Sequence, residues 1–494
     1  MATDISLPGV GLGRREWVIL VGSSTLVALS FLAPVGSALG LVLVITLGLF
    51  LTAQRAPHVV VCLLLTYLCF EQFIFSLATG EVILMLKPVP EVVLILVLVA
   101  RAPDLLRSCR ELRAGLLIIG TAILVVAVSW LVNGNPLDDG LYYARKILRY
   151  TPLLLVMPIA FRAVRARESL KRCLLALAAV QVGVGLLQLA VGEQAYLFFR
   201  PSLETLSFHA YDVPVANRLN VIEGTRLIGT LGSYMDYALL LFLGACFALP
   251  DLLKRDRDTG WHARALFFLA LCLCILLSFS RMTMAAAVLG FGACFLLAKR
   301  RAMLLGFLGL CLCVALLPYI LSLNAQESAE RATGVLNRVW GSYDQMYLDP
   351  MRYSRAFLSF VVAPSVLVAA PLTGIGPGFD NFGALGLPSW RIPLYLMDNG
   401  YVNLLVHYGL LGLGTFVTLV TWLILTVRGA LIKATSDARR AHLMSLLTYV
   451  IGMAAVHFFV DVTSARYASF AFWLVAGLAV QVVASGAAEK DELA

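Results

Sequence analysis

The chain reads as an all-α integral membrane protein of about fourteen transmembrane helices, and three observations predict it. It is 60% hydrophobic and only 14% charged, with a mean hydropathy of +0.89. That leaves too little polar surface for a soluble globule. The apolar residues fall in runs close to the ~20 residues that span a hydrocarbon core of ~30 Å. Basic residues recur in alternate loops between those runs, as they do when every second loop faces the cytoplasm. Inside a bilayer no water satisfies the backbone, so runs of this length must be helices.

The expected spans are 17–34, 38–53, 58–78, 82–100, 114–132, 147–161, 170–191, 227–249, 263–279, 282–298, 303–321, 400–427, 441–460 and 467–485. The first is full length and has no small-residue cleavage site, so it reads as an anchor rather than a leader. The fourth contains Lys87-Pro88-Val89-Pro90-Glu91. Proline removes a helical donor, so the outer end of that span is expected to be broken. The sixth is short enough to be partly re-entrant.

Orientation follows from Arg14-Arg15, Arg55, Arg101 to Arg113, Arg162 to Arg172, Lys254 to Arg264, Lys299 to Arg301, Arg428 to Arg440, and Lys490. These hold 24 of the 38 Lys and Arg and all fall on one side, which the positive-inside bias makes the cytoplasm. Both termini are then cytoplasmic. Anchoring accounts for the net charge of +9, and nucleic-acid binding is not needed to explain it. None of the ten cysteines lies in a long external loop, so no disulfide framework is implied. The Cys-x-Cys pairs at 272/274 and 311/313 read as small packing residues in apolar helix rather than a metal site.

The chain forms one polytopic membrane domain, 1–494, with two long external loops, 192–226 and 322–399. The second is long enough to carry short helices of its own, and structured loops of that length tend to be functional. Within it, 355–370 is apolar but too short to span, so it lies along the membrane face or re-enters. Arg226, Arg281 and Arg466 stand at external membrane edges. Each could snorkel to the headgroups. Together they also suit a phosphate, which arginine binds with a planar, permanently charged fork. Asp398 precedes a span and could be its N-cap or a general base. Gly374, Gly376 and Gly378 could make a plain turn or bring backbone close to a diphosphate. The carboxylate pair Asp138-Asp139 is external, Glu71 is the clearest mid-span carboxylate, and His457 and Asp461 could pair, four residues apart.

Pro371-Leu372-Thr373-Gly374-Ile375-Gly376-Pro377-Gly378-Phe379 resembles the glycine loop of the O-antigen ligase and polymerase (Wzy-like) family. Asp398-Asn399-Gly400-Tyr401 with Gly409-Leu410-Leu411-Gly412, Arg226-Leu227-Ile228-Gly229-Thr230-Leu231-Gly232, and Ser280-Arg281 resemble further motifs of that family. Arg355 fits its arginine upstream of the glycine loop, and Arg352 lies beside it. The resemblance covers about 226–427. It implies a GT-C-like membrane glycosyltransferase in a bacterial inner membrane. The activity implied is polymerisation of undecaprenyl-diphosphate-linked repeat units of exopolysaccharide or O-antigen on the outer face, by inverting, metal-independent transfer with no cofactor. Catalytic roles fall to Asp398, Arg281 and Arg355. Diphosphate binding falls to Arg226, Arg281, Arg355, Arg352, Gly376 and Gly378, with Asn399 and Tyr401 beside them. The family's ligases carry histidine where this chain has Asp398, which favours the polymerase branch. The alternatives are an O-antigen ligase acting on lipid A core, or a lipid-oligosaccharide flippase or transporter. The partners implied are membrane lipid, a chain-length regulator and a flippase, and no nucleic acid.

Reporter fusions test the topology. Fusions after Ser37, Gly134, Glu204 and Gln345 should report the external side, and fusions after Arg110, Arg167 and Asp256 the cytoplasm. A cytoplasmic signal at Gln345 would put the motif-bearing loop on the wrong face.

Overall fold

The computed structural model describes residues 35–77, 86–107, 109–191, 227–253, 260–278, 280–300, 303, 305–307, 309, 362–377, 399–458 and 466–488. Among them every regular element is helical. In chain order these are α1 (Val35–Arg55), α2 (Pro57–Leu77), α3 (Val89–Ala100), α4 (Ala102–Arg107), α5 (Cys109–Asn133), α6 (Leu137–Leu148), α7 (Leu153–Ala160) and α8 (Val164–Val191). Then follow α9 (Tyr234–Leu252), α10 (Trp261–Leu277), α11 (Arg281–Leu297), α12 (Ala363–Ala369), α13 (Gly400–Lys433), α14 (Asp437–His457) and α15 (Arg466–Ala488). By length and composition α2, α5, α8, α9 and α13 can cross a membrane, while the apolar parts of α3, α10, α11 and α15 are shorter. An all-α membrane architecture is therefore what the described residues form.

Helix α9 is the axis of the bundle. Tyr237 to Pro250 are buried all round, and α8, α10, α11, α14 and α15 pack against it. A helix apolar on every face can be stable only in such a position or in lipid. Helix α5 sits at the periphery, with Leu117, Leu124 and Leu131 exposed on a face suited to lipid tails. The expected spans 17–34 and most of 303–321 lie outside the described residues, as do loop 192–226 and most of 322–399.

One expected break is borne out and three expected spans need correction. The fourth is broken where its prolines predict: a turn at Lys87-Pro88 separates helical Leu86 from α3, which starts at Val89. The sixth, 147–161, takes in only the last two residues of α6, then a turn at 149–152 and the short helix α7. The eighth starts at Tyr234, not 227. Ser233 caps it by accepting from Asp236 N at 3.4 Å, and 227–232 is a buried turn. The twelfth extends to Lys433 but breaks at Gly409, where φ is 60° and ψ −157°.

That break organises the glycine loop. In an unbroken helix the amides of Leu410 and Leu411 would bond the carbonyls of Val406 and His407. Instead, segment 371–376 inserts into the gap. Leu410 N donates to Pro371 O (2.8 Å) and Leu411 N to Leu372 O (3.1 Å), while Ile375 N donates to Val406 O (2.9 Å) and Gly376 N to His407 O (3.1 Å). Each group freed by the break finds a substitute, which is the condition for irregular backbone at membrane depth. The approach is close enough to exclude side chains. A Cβ on Gly374 (φ +65°) would lie 2.4 Å from Val406 O, and one on Gly409 (φ +60°) 2.4 Å from Leu372 O.

Gly374→Ala and Gly409→Ala should each destabilise the protein by about 1–3 kcal/mol through left-handed strain and backbone overlap. The check is thermal unfolding in detergent, with Gly414→Ala, which meets nothing within 4 Å, as the neutral control. Equal melting of all three variants would mean that the inserted segment is not a packed element.

Candidate functional site

At the ends of α2, α3, α7 and α15 remote from the basic loops, charged groups are drawn into the bundle. Glu71, near the end of α2, is 3% exposed and ion-pairs with Arg466, the first residue of α15. Burying a carboxylate without a counter-charge would cost several kcal/mol or more, so the partner is obligatory. Arg466 Nη2 also donates to Lys87 O at 2.9 Å, and Tyr67 OH donates to Leu86 O at 2.8 Å. The turn that leads into α3 is thus held at two successive carbonyls. Beside it Glu91 Oε1 receives Arg149 Nε at 2.8 Å and Arg145 Nη2 at 3.1 Å. The Arg149 guanidinium lies 5.8 Å from the Tyr150 ring, within cation–π range. Glu71, Lys87, Glu91, Arg149 and Arg466 act on one another electrostatically.

The segment after Arg226 docks on the same end. Gln188 accepts from Ile228 N (3.2 Å) and Gly229 N (3.1 Å) and donates to Gly229 O (3.1 Å). Gln181 accepts from Thr230 N at 3.0 Å and donates to Thr230 Oγ1, which itself donates to Cys69 O at 2.7 Å. The two glutamines are seven residues apart on α8 and so share one face. Thr230 therefore sits on α2 two residues before Glu71. Leu227 N reaches Leu277 O at 3.5 Å. Ser278 Oγ accepts from Ser280 N at 3.2 Å, closing the turn that leads into α11. The backbones carrying the Arg226 and Arg281 motifs thus meet, with Leu227 bonded to Leu277 and Arg281 opening α11.

The glycine loop lies across α5, α6 and α13. Ser129 Oγ lies 2.7 Å from both Thr373 O and His407 O. His407 Nδ1 is 3.0 Å from Gly376 O, and the His407 ring packs against Tyr143 at 5.6 Å. Both backbone polar groups of Gly376 are thereby engaged by His407. Asn399 caps α13, its side chain accepting from Val402 N at 3.2 Å. The capping role entertained for Asp398 belongs to its neighbour. Tyr401 donates its hydroxyl to Ala454 O at 2.8 Å and meets the His457 ring edge-on at 4.6 Å. His457 stacks on Phe416 at 4.0 Å. Arg226, Arg352, Arg355, Gly378, Asp398 and Asp461 lie outside the described residues.

Sequence reasoning placed Arg466 at a lipid edge, where snorkelling was one account of it. It is an ion-pair partner in the bundle instead, and Glu71 is its counter-charge. Glu71 is a mid-span carboxylate in the sequence, and intramembrane charges usually have partners. The separation of nearly four hundred residues hid which partner.

These features define a class: a helical membrane protein with buried ion pairs at the end of its bundle remote from the basic loops. Comparison with known proteins adds a likeness over part of the chain. Residues 265–417 match the family described as O-antigen ligase. The match covers less than half of the chain and agrees with the motif resemblance to that family. It spans Arg281, Arg355, the glycine loop, Asp398 and the Gly409 break. Arg226, Glu71 and Arg466 fall outside it. No curated protein matches the chain.

Removing one member of the buried pair should cost about 3–5 kcal/mol, because the other charge is stranded. Glu71→Leu and Arg466→Met should each lower the melting temperature in detergent markedly, and the double variant should recover much of the loss. Additive losses in the double variant would contradict the pairing.

Proposed function

We propose that this protein extends a glycan by moving it from one polyprenyl-diphosphate lipid to another, on the outer face of the inner membrane. The observation that carries the reading is the order of Arg281, Arg355, the glycine loop and Asp398 within the stretch matched to the O-antigen ligase family. Capping of α13 by Asn399 supports it further, since Asp398 is then not needed as the cap.

In this mechanism Asp398 takes the proton from a hydroxyl of the acceptor sugar. The freed oxygen attacks the anomeric carbon of the donor from the face opposite the diphosphate. The bond from that carbon to the diphosphate oxygen breaks, and the configuration inverts. Arg226, Arg281 and Arg355, with Arg352 beside them, neutralise the charge that collects on the departing diphosphate. No metal takes part. Gly376 and Gly378 shape the loop that borders the donor, and Asn399 and Tyr401 fix the start of α13 beside the base. Aspartate at 398 favours a lipid-linked acceptor, as in a polymerase, over the lipid A core of a ligase. A flippase and a chain-length regulator would supply substrate and set product length.

Each of Arg226→Ala, Arg281→Ala and Arg355→Ala should cut polymer output by ~10²–10³, the worth of one charge-assisted contact to a developing anion. Lysine should rescue poorly, because one ammonium cannot replace a planar fork. Asp398→Asn should stop chain growth while lipid-linked single units accumulate, read by mass spectrometry of lipid-linked glycans. Near-normal polymer from Asp398→Asn would remove it as the base.

A further inference from the structure

We propose that Lys87, Arg149 and Arg466 form a second anion-binding subsite, which holds the diphosphate of the acceptor lipid. Both carboxylates in this cluster are committed. Glu71 serves Arg466, and Glu91 serves Arg149 and Arg145. Lys87 makes no ion pair among the described residues, although its backbone carbonyl is held by Arg466 and it lies within electrostatic range of the Arg466 and Arg149 guanidinium groups and of the Glu71 carboxylate. The cluster holds four cations, Lys87, Arg145, Arg149 and Arg466, against the two carboxylates Glu71 and Glu91, and an anion balances that excess of positive charge.

The lysine is also preorganised. Tyr67 holds Leu86 O, Arg466 holds Lys87 O, and Pro88 and Pro90 stiffen the chain that follows. Such fixing lowers the entropy lost when a ligand binds. A phosphate-bearing lipid headgroup matches the site in charge, and it can approach along the bilayer surface.

The acceptor assignment rests on the proposed function, in which two lipid diphosphates must be held at once. The segments bearing Arg226 and Arg281 meet each other through Leu227 and Leu277, and join α2 at Cys69. The Lys87 cluster begins at Glu71 and extends away through α3, α7 and α15. The two groups therefore flank α2 as neighbours, which suits a donor and an acceptor whose sugars must meet.

Lys87→Gln is the informative variant, since it breaks no pair and should fold normally. The full chain would be placed in nanodiscs of zwitterionic phospholipid, and a glycan-free polyprenyl diphosphate titrated in, with bound lipid counted by native mass spectrometry. Wild type should bind two molecules, Lys87→Gln one, Lys87→Arg two, and Lys87→Gln with Arg281→Ala none. Two molecules on Lys87→Gln would overturn the subsite. Loss in Lys87→Gln but not in Arg281→Ala would uphold the subsite and fault the donor assignment instead. Displacement of the Lys87-dependent molecule by equimolar phosphatidylglycerol would make this a bulk-lipid site and end the acceptor reading. In the transfer assay Lys87→Gln should raise the acceptor KM about tenfold, the loss of one charge-assisted contact, with donor KM and kcat nearly unchanged. A raised donor KM would overturn the assignment.

Discussion

A polar group in hydrocarbon that loses its partner has no water to replace it. That constraint shapes every irregular part of this bundle. Where α13 breaks at Gly409, the inserted segment 371–376 supplies the missing donors and acceptors. Where the chain turns through 227–232 instead of entering a helix, Gln181 and Gln188 bond its buried backbone. Where α2 buries Glu71, Arg466 arrives from the far end of the sequence to neutralise it. Each irregularity is stabilised by a distant element, so none could persist as a local structure alone.

The small residues of the family-like motifs fall at these irregularities, and the arginines stand beside them. Gly374, Gly376 and Gly409 let two backbones meet, and Thr230 ties its turn to α2. Arg226 immediately precedes one turn and Arg281 follows another. A division of labour follows: the glycines and threonine build rigid corners, and the corners carry the charged side chains. Positioning by backbone suits a site that handles a diphosphate, because a preorganised cation does not have to be reordered when charge develops.

Most helices were legible because length and hydropathy decide them. The ends of α2, α10 and α11 fall close to where the apolar runs stop. The errors arose where apolarity and helicity part company. Leu227 and Ile228 are apolar and buried, yet belong to a turn. The signal for the true start is Ser233-x-x-Asp236, an N-cap pattern set inside an apolar stretch. Asp398 and Asn399 are both good caps, and residue type alone does not choose between neighbours. The arginine and glycine motifs could be read because they are contiguous. The pairing of Glu71 with Arg466, and of Glu91 with Arg149, could not, since no periodicity links residues on separate helices.

The short helix α6 explains how the two polar regions keep their spacing. Tyr143 packs on His407, the residue that holds Gly376. Arg145 and Arg149, further along the same stretch, hold Glu91. At 1.5 Å per helical residue, the step from Tyr143 to Arg149 is roughly 9 Å. A helix resists stretching, so the glycine loop and the ion-pair cluster cannot drift independently. The turn at 149–152 then redirects the chain into α7, which packs against α15 and so returns to the helix that begins with Arg466. The circuit closes: glycine loop, α6, Glu91, α7, α15, Arg466 and Glu71 form one continuous set of contacts, with the Arg226 turn joined to it at Cys69. Residues scattered over almost the whole sequence therefore act as parts of a single rigid rim, and a site assembled on it inherits its geometry from helix length and paired charge rather than from any one loop.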